Sequence, residues 1–289
     1  MTDNRVAVLV PSYRRPAQLQ CMIESLAHNL PRGKRAVPVD VIAVCRDCPD
    51  EYARVQRETQ AALPAGSKVV IKRESNFYND VYGAVNNAFY RFFIMAVDDT
   101  IWCNDVPLHE AVRVLDERPD VMAYSFRLSP RTRTCYMHHD KAQRYAPVGT
   151  LHGQVLHRYG DATLDYAYWC DISSSMFRQS DLARMVQANK FYNPTTLEHY
   201  VWLWGRTDEG RPLLKRRPLL ASAPDVSCAF SAPVNIVQST AAGNRGGARR
   251  DYSGAALLEA YRAGKRIRIE PFQGMRPEAV HVEVDLRFR

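Results

Sequence analysis

RFFIMAVDDTIW, residues Arg91 to Trp102, decides how this chain is read. Its apolar run from Phe92 to Val97 is short and rich in aromatic and branched side chains, the mark of a strand buried on both faces. The run stops on two adjacent carboxylates, Asp98 and Asp99. In an open α/β sheet, ligands bind beyond the carboxyl ends of the strands, so this pair is expected to face a crevice. Neighbouring carboxylates repel each other and call for a proton or a cation. A hard divalent ion, Mg2+ or Mn2+, that also holds a substrate diphosphate would meet that need. Two solvated acids at a strand end would leave the same signature. Turned inward against an arginine or lysine with no cleft above them, the two would mark no such site.

Upstream, the chain alternates strand and helix. Val6 to Val10 is a continuous apolar run, expected to end at Pro11 in a turn through Pro16. Ala17 to Leu30 then has helical spacing at Leu19, Met22, Ile23 and Leu26. Val37 to Val44 reads as the second strand, Glu51 to Leu63 as a helix and Lys68 to Lys72 as the third strand. Asn76 to Asp80 reads as a polar loop and Gly83 to Tyr90 as a helix. The β-α-β-α-β-α-β order implies a parallel sheet with right-handed crossovers, an α/β fold. Neither GxGxxG nor GxxxxGK occurs, which excludes the dinucleotide fingerprint and the P-loop. The first loop still offers Tyr13 to stack on a base and Arg15 to meet phosphates. Asp47 follows the second strand and would accept from a pyrimidine N–H or a ribose hydroxyl; capping the next helix is the alternative.

The 289 residues, 46% hydrophobic, suffice for one large continuous domain. No apolar run approaches a membrane span, and the start, MTDNRVAVLVPSY, has no secretory-signal pattern, so a cytoplasmic setting is expected. Seven scattered cysteines include one CxxC, Cys45 to Cys48, without a partner pair at zinc spacing; reduced thiols are expected. The net charge of +8 suits anionic partners such as sugar nucleotides or lipid headgroups. No nucleic-acid module accompanies the basic clusters, so nucleic acid is not expected as a partner.

The segments VLVPSYRRPAQLQCMIESL, VCRDCPDEY, KRESNFYNDVYGAVNNAF and VDDTIW follow one another as in family 2-type glycosyltransferases, which this chain resembles over its first hundred residues. The resemblance implies a GT-A fold: a Rossmann-like, mostly parallel sheet flanked by helices. It implies a hexosyltransferase-type enzyme that uses a nucleotide-sugar donor, UDP before GDP or dTDP, and Mn2+ or Mg2+. By position, Pro11, Ser12, Tyr13, Arg15, Asp47, Asn76, Asn86 and Asp98 would hold the donor, and Asp99 the metal. Only two acids stand where many members have three. On this reading residues 1–128 form the nucleotide-sugar half and 129–289 the acceptor-side half of one domain. A glycan or lipid-linked acceptor follows by analogy, and with it a peripheral position on the inner membrane face.

The second half is read the same way. Val106 to Arg118 is a helix and Val121 to Leu128 a half-buried strand. His138, His139, His152 and His157 fall in a polar stretch with no metal-site spacing. Tyr166 to Arg178 reads as a strand, with Trp169 stacking on a sugar or packing in the core and Asp171 binding a hydroxyl. Thr195 or Thr196 is expected to cap a helix whose first turn carries Glu198, where the helix dipole would lower its pKa. Inverting transfer needs a carboxylate to take the acceptor proton; Glu198 is the first choice and Asp171 the second. Val226 to Phe230 reads as a late strand. The loop TAAGNRGGARR, Thr240 to Arg250, would bring Asn244, Arg245 and its neighbours over a diphosphate. The tail from Pro277 ends in an alternating strand that carries His281, which the resemblance makes a metal ligand. A catalytically degenerate nucleotide-sugar or polyanion binder is the alternative function.

Overall fold

A computed structural model describes residues 5–33, 36–235, 245–246 and 252–289. Asn244 and most of the arginine-rich loop lie outside these residues. The elements alternate as the apolar runs require. They are β1 (Val6–Tyr13), α1 (Pro16–Asn29), β2 (Val39–Arg46), α2 (Pro49–Thr59), β3 (Lys68–Arg73), α3 (Phe77–Val85), β4 (Phe92–Met95), β5 (Thr100–Trp102), α4 (Leu108–Glu117) and β6 (Val121–Ser125). The short β7 (Thr134–Cys135) and β8 (Lys141–Ala142) pair with each other. Then come β9 (Pro147–Leu151), β10 (Gln154–Arg158), β11 (Ser175–Arg178), α5 (Gln179–Gln187), α6 (Pro194–Trp204), α7 (Arg211–Arg216), β12 (Leu219–Ser222), β13 (Ala229–Ser231) and α8 (Gly254–Arg262).

The main sheet has the order β3-β2-β1-β4-β11-β6-β12-β10-β9. All of its strands run one way except β11 and β10, so the sheet is mixed but mostly parallel. Phe92, Phe93, Ile94 and Met95 of β4 are all buried, as expected of a strand with helices on both faces. One layer of core packs α1 and α4 on the sheet; the other packs α3, α5 and α6.

Several boundaries differ from the sequence reading, each for a local reason. β1 does not stop at Pro11 but stays in register with β2 to Tyr13. Leu9 O accepts from Ala96 N, so the backbone of residues 9 and 11 faces the β4 side, where β4 has already ended. Pro11 therefore lacks no bond that the ladder needs. α3 begins at Phe77, because Asn76 caps it and the Asp80 carboxylate accepts from the N–H groups of Ser75 and Asn76. It ends at Val85, before most of the expected span. Tyr166 to Ser174 is not strand; only Ser175–Arg178 pairs, between β4 and β6. α6 is capped by Asn193, which accepts from Thr196 N at 2.8 Å, and not by Thr195 or Thr196. β12 has no counterpart among the apolar runs expected to be strands, and β13 makes a two-stranded ribbon with β5 outside the main sheet. The tail forms single bridges, Ser231 to His281 and Ile267 to Phe288, where an alternating strand was expected. Its backbone bonds are spread over Ser231, Arg266 and Arg268, so no one edge holds it as a ladder.

The α6 cap gives a check on this account. Asn193→Ala should lower stability by ~1 kcal/mol, the usual worth of an N-cap, in urea denaturation.

Candidate active site

A cleft of about 600 Å3 opens over the carboxyl ends of β1, β2, β3, β4 and β6. Pro11, Ser12, Tyr13, Arg15, Asp98, Asp99, Asp171, Glu198, Arg245 and His281 all line it. Residues far apart in sequence therefore meet where an open sheet presents its strand ends.

The acid pair is not left to repel itself. The Arg15 guanidinium donates to Asp98 Oδ1 at 2.9 Å and to Asp99 Oδ2 at 3.2 Å through the same nitrogen, Nη1. Its other terminal nitrogen donates to the Asn235 carbonyl at 2.6 Å and to the Asn235 side-chain oxygen. Ser12 Oγ donates to Asp98 Oδ2 at 2.8 Å. Asp98 is thus held on both oxygens and buried. Burial pushes Asp99 up to about 6 against the pull of Arg15, and Asp98 adds to the rise. Neutralisation by arginine is half of the arrangement that would have argued against a site; the other half, the absence of a cleft, does not hold.

On the opposite wall, Asp171 Oδ1 accepts from Arg127 Nη2 at 2.7 Å and from Ser173 N at 2.8 Å. Arg127 also donates to Ser231 Oγ at 2.9 Å and is buried. Glu198 Oε1 accepts from Ile172 N at 3.2 Å. Burial, then the Asp171 charge, pushes Glu198 up to about 7. This reverses the expected lowering by the helix dipole. Asn193 is the cap, so Glu198 lies beyond the first turn, where the dipole has faded, and desolvation decides.

Backbone pairing through Ser231 and Ala232 links His281 to the strand end that carries Asp99. Asp99 O accepts from Ala232 N at 2.9 Å, and the preceding residue, Ser231, bridges to His281. Burial and the Arg127 charge push His281 down to about 3, so its ring is neutral. Its Nδ1 is buried without a hydrogen-bond partner among the described residues. Asp99 gives Oδ2 to Arg15, while Oδ1 is engaged by no donor among the described residues. One carboxylate oxygen and one neutral imidazole fit a divalent ion whose other positions are filled by diphosphate oxygens and water. Among the described residues no group of three or more His, Cys, Asp or Glu gathers, so the protein would supply only part of the shell.

Other sequence candidates lie elsewhere. Asp47 is paired with Arg14 at 2.8 Å and is not part of the cleft lining. Asn76 spends its side chain on the α3 cap, and Asn86 is an exposed residue at the end of that helix. Trp169 is core: a Cβ on Gly205 would come within 2.6 Å of its ring, and it is buried. Of the four histidines, His157 is buried, His152 pairs with Glu117 at 2.7 Å and His138 lines the cleft. All seven cysteines are free. Arg245 lines the cleft, over the Tyr136 ring at 4.1 Å and bonded to Asp140 at 2.8 Å. The sequence reading missed Arg127; its one signal is a cation directly after the apolar run of β6.

The family model described as glycosyltransferase like family 2 matches residues 4–158, and the chain belongs to that family. Its mostly parallel sheet is the GT-A arrangement expected from the sequence. Among curated proteins none matches. Among solved structures, S. aureus TarS 1–349 is 16% identical with a TM-score of 0.46, over 78% of this chain and 60% of that one. Its complex with UDP-GlcNAc gives 14% and 0.46, over 78% and 58%. The mannosyltransferase PcManGT from Pyrobaculum calidifontis, solved with GDP-Man and Mn2+, is 16% identical with a TM-score of 0.42, over 76% and 55%. The chain thus spans about 60% of the TarS fragment.

Arg15→Met leaves two buried acids without their shared cation. It should cost ~3–5 kcal/mol in urea denaturation, and adding Asp98→Asn should recover part of the loss. A loss below ~1 kcal/mol would show that these charges are met elsewhere.

Proposed function

We propose that the chain is an inverting glycosyltransferase that moves a sugar from a nucleoside-diphosphate donor to a hydroxyl of a glycan or lipid-linked acceptor. The observation that carries this reading is the meeting of the β4 acids and the Glu198–Asp171 pair in one cleft. In this reading residues 1–128 hold the donor and 129–289 the acceptor. The proton of the acceptor hydroxyl passes to Glu198 as the hydroxyl oxygen bonds to the anomeric carbon. The bond from that carbon to the diphosphate breaks on the opposite face, and its electron pair leaves with the diphosphate. Cleft binding fixes the two reactants in line. Asp171, in a salt bridge with Arg127, is less free to act as the base than Glu198, which accepts from uncharged donors, the Ile172 N–H and the Tyr168 hydroxyl. Arg245 at the cleft lip adds positive charge near the leaving group. When bound, Mn2+ or Mg2+ at Asp99 and His281 would neutralise diphosphate charge.

No helix among the described residues is long and apolar enough to cross a membrane. The net charge of +8 supports a cytoplasmic enzyme, peripheral at an anionic membrane face, acting in polysaccharide or glycolipid synthesis. One observation favours a second reading, a binding protein without turnover: Arg15 already neutralises both acids. Release of nucleoside diphosphate from UDP- and GDP-sugars with Mn2+ and a mixed glycan acceptor separates the two.

Three measurements test the transferase. Asp99→Ala should abolish donor turnover while circular dichroism stays unchanged. Glu198→Gln should lower kcat by ~10²–10⁴-fold, the usual range for a general base. A base works only when deprotonated, so wild-type kcat/KM should rise with pH up to about 7 and level off above it. A flat profile between pH 5 and 8 would remove Glu198 from this role.

A further inference from the structure

The cleft end built by β1, β2 and β3 holds three groups that the transfer step does not use. Tyr13, the last residue of β1, is 37% exposed. The guanidinium of Arg46, its register partner on β2, lies 5.5 Å from the centre of that ring. Glu74 directly follows β3 and is fixed beside them by its backbone N–H, which donates to Cys45 O at 2.8 Å. All three line the cleft. Among the described residues, the side chains of Glu74 and Arg46 make no hydrogen bond. Partial burial and the nearby charges of Asp80 and Asp47 push the Glu74 carboxyl up, while Arg46 holds it down. Among the described residues this carboxylate has no hydrogen-bond donor.

We infer that Tyr13, Arg46 and Glu74 read the base of the donor nucleotide, and that the base is guanine. The inference rests on the donor reading above and extends it to the nucleotide class. An aromatic face and a guanidinium plane are the side chains on which an unstacked base packs. Edge chemistry then selects among bases. A carboxylate offers two acceptor oxygens side by side, and guanine offers two donors side by side, N1–H and the N2 amino group. Its neighbouring O6 accepts from a guanidinium. Uracil has a single N–H between two carbonyl oxygens, so a carboxylate set against it brings a second oxygen towards a carbonyl. Adenine and cytosine each place a ring-nitrogen lone pair beside their amino group, facing the other carboxylate oxygen. Asp47, the sequence candidate for the base, is already bonded to Arg14.

Calorimetric titration of the full chain with GDP, UDP, ADP and CDP, with Mn2+ present, tests this. GDP should bind at least about tenfold more tightly than the others, within the range of one good bidentate contact. Glu74→Gln removes one acceptor with little change in shape. It should weaken GDP about tenfold and leave UDP within about twofold. Wild-type protein that prefers UDP, or a Glu74→Gln variant that keeps the full GDP preference, overturns the guanine assignment and leaves the transferase reading standing. Binding of none of the four overturns both.

Discussion

One guanidinium holds the cleft end of this molecule together. Arg15 joins the end of β1 to both acids after β4 and to Asn235 beyond β13. Two adjacent carboxylates in a half-dry cleft would otherwise force each other to protonate. The arginine resolves that conflict and leaves one oxygen of Asp99 facing the cleft. Because each partner is buried or nearly so, the pairing fixes positions more than it adds net stability.

The second wall follows the same logic with the opposite outcome. Arg127 bonds Asp171 but leaves Glu198 to the Ile172 N–H and the Tyr168 hydroxyl, with no salt bridge of its own among the described residues. Burial and the Asp171 charge then raise the proton affinity of Glu198. The two acids of this wall are therefore separated in environment by one salt bridge. A charge placed on the right partner thus tunes the neighbouring group at a distance from it.

Much of the fold was legible because strands buried on both faces leave unbroken apolar runs. β1, β2, β3 and β4 were read in order, and Asp98, Asp99, Tyr13, Glu198, Asp171 and His281 do share a cleft. What the sequence leaves open depends on neighbours in space. Asp47, Asn76 and Arg15 each have the right chemistry for a nucleotide, yet Arg14, the α3 backbone and the acid pair claim them first. The α6 cap could have been read one residue before Pro194, since Asn before Pro is a helix-start signal. β12, LLAS, is too short to show a period, and the alternating tail lacks a sheet edge to join. Arg127 gave no motif; only the converging strand ends reveal it.

The ribbon of β5 and β13, extended by the Ser231–His281 bridge, closes one wall of the cleft. Its partners are joined across long stretches of chain: Asp99 to Ala232, and Ser231 to His281. Contacts of such high sequence separation form late, after the loop-closure entropy of the intervening chain has been overcome. During synthesis the β1–β4 half emerges well before residue 281 leaves the ribosome. β1 to β4 can therefore pair before the wall that carries His281 joins them, so the cleft is completed by its most distant contacts.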